Sequence, residues 1–369
     1  MNCRKILLRL NFLLIVLVFS SCSYSPDLGP DQSVWEYASP SETNVNEQML
    51  LNLDNEIRQG NRGVINSLHI VKDDKLIYES YYNPVHSRNS NHVLNAITLS
   101  ISSALVGTAL EQGLINSIDD PISDYLPDYD DIFTLEPEKS AISINHLLTM
   151  RSGIAWNENI IPFSDPSSNL FQMTNSSDWV RYVLEQRTEA APGLRYAFNS
   201  ATAVVITKIL ENATGIPFEE YIDSFLFEPL NIQSAEWSFT PRGLPNTAWG
   251  LTLNPIDLTK IGYLYLNEGN WFGQQVITQS WVEASTDLQF QISTFIDFGR
   301  HWFRYSEFNS IQNVLSENDI YFANGFGSQY LYVIPHLNMV VSMTSDNFNN
   351  GHGFAGFVIL RDFILPATL

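Results

Sequence analysis

The sequence is poor in cysteine and in positive charge. Its 369 residues contain two cysteines, and 19 lysines and arginines stand against 40 aspartates and glutamates, which gives a formal net charge of −21. This acidic balance argues against nucleic acid as a partner and against electrostatic docking on anionic lipid. Hydrophobic residues make up 44% of the chain, so it can bury a sizeable core.

The first 22 residues predict an export signal. Basic residues near the start precede an apolar run at residues 10–19, which is too short to span a bilayer permanently. The run ends in Ser20, Ser21 and Cys22, which resembles a bacterial lipoprotein signal with lipidation at Cys22. Phe19 stands where such signals usually have Leu, so ordinary secretion with an incidental cysteine is the alternative.

Cleavage before Cys22 would remove Cys3 and three of the basic residues. The mature chain would then have no intramolecular disulfide and no Cys-based metal site, and it would be still more acidic. We therefore expect an extracytoplasmic protein, in the periplasm or at the cell surface, that is held to a bacterial membrane by acyl chains alone.

The remaining sequence predicts a tether at residues 23–43 and one domain at residues 44–369. Residues 44–58 fit a helix, and residues 64–72 and 75–82 alternate as two strands of a hairpin around Asp73 and Asp74. A helix begins near Ala96 and stops at Gly113. Strands follow at residues 329–335 and 339–345, and a final helix at about 353–364.

This order of elements predicts an α/β (α+β) fold. Strands at both ends imply an antiparallel sheet lobe flanked by helices, built from about residues 44–95 and 269–369. The segment between them, about residues 96–268, is predicted to form an inserted all-helical lobe. We find no internal repeat and no low-complexity tract.

Residues 95–107 resemble the nucleophile helix of the penicillin-recognising serine hydrolases, which include serine β-lactamases, D,D-peptidases and related esterases. That helix opens with S-x-x-K, the Ser nucleophile and its Lys base. Ala96 stands at the Ser position and Leu99 at the Lys position. Further segments of this chain resemble the family at residues 119–127, 144–153, 227–232 and 250–257, so the resemblance covers about residues 45–365. It implies an active site between the two lobes.

No shift of register restores the missing pair of Ser nucleophile and Lys base. The chain has six lysines, and none has a Ser three residues before it. A Lys base must lie one turn after the nucleophile to share its helix face. The S-x-x-K motif is therefore absent from the whole chain.

The proton-relay segment is altered as well. Residues 192–200 resemble the family's segment that contains the relay Tyr, and Phe198 stands at its position. Tyr196 is the alternative relay, although the spacing from Pro192 and Gly193 favours Phe198. Ser200 matches the third residue of relatives that read Y-N-S.

The oxyanion-binding part is better preserved. Residues 323–330 stand where the family has K-T-G or H-x-G, and glycines there allow a strand to approach a ligand. The resemblance implies a ligand site formed by the main-chain N–H of Ala96 together with Ser200, Gly325, Gly327 and Gln329.

The sequence therefore predicts a catalytically inactive member of this family, with no cofactor and no metal. Its residual cleft is expected to bind a peptide, an ester or a cell-wall fragment. Two alternatives stay open. One is an active esterase or amidase with an unorthodox nucleophile such as Ser100, and the other is a lipoprotein that scaffolds a protein partner. Oligomeric state does not follow from the sequence.

Overall fold

The computed structural model describes residues 34–84, 86–306 and 319–369. The predicted signal, Cys22 and the first part of the predicted tether lie outside these residues. Residues Trp35–Leu369 form one compact unit. Within the described ranges, no helix has the length and apolar character needed to cross a membrane.

Strands lie near both ends of this unit along the chain. They are β1 (Glu36–Tyr37), β2 (Ile65–Lys72), β3 (Lys75–Tyr81), β4 (His92–Val93), β5 (Glu236–Trp237), β6 (Leu251–Leu253), β7 (Asn270–Trp271), β8 (Gln274–Gln275), β9 (Phe290–Gln291), β10 (Ile296–Phe298), β11 (Phe303–Tyr305), β12 (Tyr321–Gly325), β13 (Gln329–Ile334) and β14 (Met339–Ser345).

The α-helices lie mostly between β4 and β9. They are α1 (Glu47–Arg58), α2 (Ile97–Glu111), α3 (Asp130–Leu135), α4 (Ile144–Leu148), α5 (Asn169–Thr174), α6 (Trp179–Leu184), α7 (Thr202–Thr214), α8 (Phe218–Ile222), α9 (Pro255–Leu266), α10 (Gln279–Thr286) and α11 (Ala355–Ile359).

The main sheet of the described chain has the strand order β1-β3-β2-β14-β13-β12-β11-β10-β9. Only the pairing of β1 with β3 is parallel; the other neighbours are antiparallel. The first hairpin, β2–β3, lies beside the last strand, β14, so the two chain ends build one sheet. This confirms the predicted mixed fold and its mostly antiparallel sheet.

Local sequence explains the predicted elements. Asp73 and Asp74 both have positive φ, of 50° and 61°, as a two-residue hairpin turn requires. Gly113 adopts a φ of 68° just after α2 ends, which is where a left-handed residue closes a helix.

Both faces of the sheet are buried. On one face, Leu68 and Ile70 of β2 share an apolar cluster with side chains of α1 and α11. On the other, Val71 lies in a second cluster with side chains of α2 and α9. The alternation along β2 therefore places neighbouring residues in different cores.

The structure differs from the predicted tether and lobe boundaries at two points. Trp35 is buried against Tyr263 and Trp271, and β1 pairs with β3, so the end of the predicted tether belongs to the domain. Helix α9, predicted within the helical lobe, instead lies on the sheet. A Cβ at Gly262 would come within 2.6 Å of Val340 and 2.7 Å of Leu331, so a glycine permits this close approach.

Candidate active site

The predicted nucleophile position lies at the start of α2. Asn95 has a φ of 51°, a left-handed conformation that Asn tolerates well, and it turns the chain into the helix. Ala96 precedes the first helical residue and is partly exposed, whereas Leu99, one turn later, is 3% exposed. No hydrogen bond from the main-chain N–H of Ala96 is found among the described residues.

Ala96, Leu99 and Phe198 meet in one apolar cluster. Its buried members are Leu99, Met150, Ala203 and Phe298, and Ala96, Tyr196, Phe198 and Phe303 pack against them. We call this the apolar site cluster. The structure thus brings together three predicted positions that span 103 residues of chain. The side chains of Leu99 and Phe198, which stand at the predicted Lys and Tyr positions, are both hydrocarbon.

Ser100 is not placed to act as a nucleophile. It is 2% exposed, and its hydroxyl donates to the main-chain oxygen of His301. The imidazole of His301 points elsewhere, since its Nδ1 lies 3.3 Å from the Leu99 oxygen. Burial lowers the pKa of His301 to about 4. This geometry does not favour the alternative of Ser100 as an unorthodox nucleophile.

Gly325 lies against the start of the nucleophile helix. A Cβ at this glycine would be 2.3 Å from the Leu94 oxygen, and the Asn95 side-chain amide donates to the Phe326 oxygen at 2.7 Å. The end of β12 is thus fixed beside the residues that precede α2. Such a close approach can bring N–H groups of a strand and of a helix start towards one ligand atom.

Gly327 and Gln329 have contacts within the protein. Gly327 has a φ of 85°, and a Cβ there would meet the Phe348 ring. The Gln329 side chain donates to the Ser345 oxygen and accepts from the Ser345 N–H, and it is 2% exposed. Both residues shape the β12–β13 turn. Their predicted ligand contact stays a prediction to which this geometry adds no support.

Glu158 is a polar neighbour of the site that sequence reasoning missed. Its Oε2 accepts from the Ser200 N–H at 2.9 Å, from the Ser200 hydroxyl at 3.0 Å and from the Trp156 indole at 2.9 Å. Burial raises the pKa of the Glu158 carboxyl above its usual range. Ser200 is therefore engaged with a carboxylate, and no motif in the sequence links the two residues.

Tyr196 lies beside Phe198 but is a poor substitute for the relay base. Its ring stacks on Phe290 at 5.5 Å and meets the edge of Phe298 at 5.5 Å. Burial, and to a lesser degree the charge of Glu158, raises the pKa of the Tyr196 hydroxyl. A raised pKa disfavours the phenolate, which is the form that could take a proton from a nucleophile.

The described side chains at this site do not form a metal centre. Within the described ranges, no group of three or more His, Cys, Asp or Glu side chains is arranged to hold an ion.

The fold and this arrangement agree with a known family. The sequence profile described as Beta-lactamase matches residues 53–357. The chain belongs to the beta-lactamase family. The match covers most of the chain, including α2, the apolar site cluster and the last strands of the sheet.

Individual members of the family are distant in sequence. The chain is 22% identical over 259 residues to a 6-aminohexanoate-dimer hydrolase of Paenarthrobacter ureafaciens, which covers 67% of this chain and 64% of that protein. The aligned part is thus less than two thirds of the relative's length.

Solved structures show the same fold. A putative 6-aminohexanoate-dimer hydrolase from Bacillus anthracis has a TM-score of 0.70 at 16% identity, covering 89% of this chain and 86% of that one. A penicillin binding protein from Bacillus halodurans has a TM-score of 0.65 at 16% identity, covering 83% and 99%. At these identities the likeness concerns the fold alone.

Proposed function

We propose that this member of the beta-lactamase family has lost the serine-hydrolase reaction and binds a ligand in the residual cleft. The observation that carries the proposal is the apolar site cluster. Ala96, Leu99 and Phe198 supply no hydroxyl and no amine to the volume where the family's chemistry needs both.

The replacements fit an abandoned reaction for a physical reason. A buried Lys or Tyr that has lost its partners costs on the order of 1–3 kcal/mol, and a buried charge costs more. Apolar side chains of similar size remove that cost and keep the packing. Loss of the nucleophile in a serine hydrolase lowers kcat by about 10⁶.

Ligand binding is supported by the exposed part of the apolar site cluster. Ala96, Tyr196 and Phe198 are partly exposed, whereas Leu99 of the same cluster is buried. The N–H of Ala96 and the close approach of Gly325 support recognition of a carbonyl or carboxylate oxygen. Peptides, esters and cell-wall fragments carry such oxygens, and a 6-aminohexanoate dimer is a further compound to test.

Covalent labelling tests the loss of catalysis. The purified protein is treated with a fluorescent penicillin and, separately, with a fluorophosphonate. A penicillin-binding protein is the positive control for the penicillin, and a serine esterase is the positive control for the fluorophosphonate. We expect no labelled serine in this chain and no ester turnover above background. A label on one defined serine, lost when that serine is replaced by Ala, would overturn the proposal.

The proposed lipid anchor at Cys22 needs a separate test. The lipoprotein-like sequence at Cys22 supports attachment to a membrane outside the cytoplasm. Incorporation of radiolabelled palmitate into the wild-type chain, and its absence in Cys22→Ala, is the expected result. Equal labelling of both chains contradicts lipidation at this residue.

A further inference from the structure

The carboxylate of Glu158 is held by one oxygen only. Trp156 and Ser200 direct three hydrogen bonds at Oε2, with lengths of 2.9, 2.9 and 3.0 Å. No hydrogen bond to Oε1 is found in the part of the chain that the structure describes. The side chain is therefore fixed in orientation while one acceptor oxygen is left over.

This carboxylate also has no counter-charge among the described residues. Among the ion pairs of the described residues, none includes Glu158. Burial of the group raises its pKa, and the three hydrogen bonds only partly oppose that effect. A partly desolvated carboxylate without a cation nearby is costly to keep ionised, and a bound cation would relieve that cost.

Its neighbours place it near the apolar site cluster. Glu158 is bonded to Ser200, which follows Phe198 by two residues, and its charge contributes to the raised pKa of Tyr196. Tyr196 and Phe198 both pack on the apolar site cluster beside Ala96. Glu158 is only partly buried, and Oε1 is not among the buried polar atoms that lack a partner, so this oxygen can be reached from solvent.

We propose that Glu158 binds the ammonium group of an amine-bearing ligand whose hydrocarbon part lies on the apolar site cluster. The inference rests on the proposed binding function and names the class of ligand. An ammonium group donates charge-assisted hydrogen bonds, which are the stronger kind, to a carboxylate that is already oriented.

Two observations favour an organic cation. A metal ion needs several ligands, and the described residues provide no suitable group of three around Glu158. The apolar surface beside the carboxylate matches an alkyl chain, and the net charge of −21 attracts cations to the molecule as a whole.

The test compares two probes of equal length, n-hexylamine and hexan-1-ol. Trp156 is a built-in reporter, because its indole N–H donates to Oε2; its NMR signal can be assigned with Trp156→Phe. We expect the full chain to bind the amine about tenfold more tightly than the alcohol, and this preference to weaken as the pH is lowered through the raised pKa of the carboxyl.

The decisive variant is Glu158→Gln, which keeps an acceptor oxygen for the three donors and removes the charge. It should bind both probes equally, with no pH dependence. Glu138→Gln removes one exposed charge elsewhere and should keep the preference. Failure of wild type to bind the amine, equal binding of the two probes by wild type, or an undiminished preference in Glu158→Gln would overturn the inference.

These outcomes are separable from failure of the proposed function. If both probes bind equally, a binding cleft remains and only the role of Glu158 is lost. Covalent labelling of a serine refutes the proposed loss of catalysis, whatever the result of the amine-binding test. A fall in Tm of Glu158→Gln with an unchanged probe preference would show a structural role alone.

Discussion

At the scale of single residues, Leu99 best shows what has changed in this chain. It is 3% exposed and lies among Met150, Ala203 and Phe298, so its side chain is part of a packed core. The position that the sequence resemblance assigns to the family's base therefore contributes to the packing of the core. A Lys introduced there would bury an ammonium group in apolar surroundings.

Shortening Leu99 should therefore destabilise the fold. Leu99→Ala should lower the free energy of unfolding by about 2–5 kcal/mol, and Leu99→Met by less than about 1.5 kcal/mol, because only the first leaves a cavity. Urea denaturation followed by circular dichroism measures both. Equal, small losses in the two variants would show that Leu99 is not tightly packed.

At the scale of elements, the contact between β12 and the start of α2 defines the site. Hydroxyls also hold α2 in place, since Ser100 and Ser103 donate to the main-chain oxygens of His301 and Arg300. Gly325 is what lets the strand approach so closely. The site's geometry thus depends on one helix being fixed by a strand on one side and a turn on the other.

Gly325→Ala should disturb this contact. The added methyl would lie 2.3 Å from the Leu94 oxygen, so the strand end must move away from the helix. We expect a lower Tm and weaker ligand binding. Gly353→Ala is the matched control, because no atom lies within 4 Å of its Cβ position and its φ is not left-handed. Identical behaviour of the two variants would contradict the close approach.

At the scale of the whole molecule, the sheet is assembled from both chain ends. The folded domain also buries two histidine side chains. His69 on β2 and His301 beside α2 are both buried, and burial lowers the pKa of each to about 4. His69 still bonds the Tyr81 hydroxyl at 3.0 Å. The folded protein therefore holds these side chains neutral in mildly acidic solution.

This predicts a loss of stability in mild acid. The unfolded chain protonates its histidines near pH 6.5, whereas the folded chain does so only near pH 4, so unfolding takes up protons between these values. The free energy of unfolding should fall as the pH is lowered from about 6.5 towards 4. Denaturation at several pH values measures the slope, which His69→Gln should reduce. A flat profile between pH 7 and 5 would contradict the neutral buried imidazoles.

The amino-acid sequence by itself determined the elements that local patterns encode. The β2–β3 hairpin, the end of α2 at Gly113 and the strands β13 and β14 follow from alternation, turn residues and glycine, which act over a few neighbouring positions. The absence of S-x-x-K also follows from the sequence alone, since each lysine could be checked in turn.

The surroundings of the site residues, in contrast, depend on the tertiary structure alone. Only packing brings Leu99 and Phe198 together, ties Ser200 to Glu158 and gives Ser100 a main-chain acceptor. It also joins Trp35 to the domain and places α9 on the sheet. These contacts join residues far apart along the chain, and such contacts depend on the shape of the whole core, which no local pattern contains.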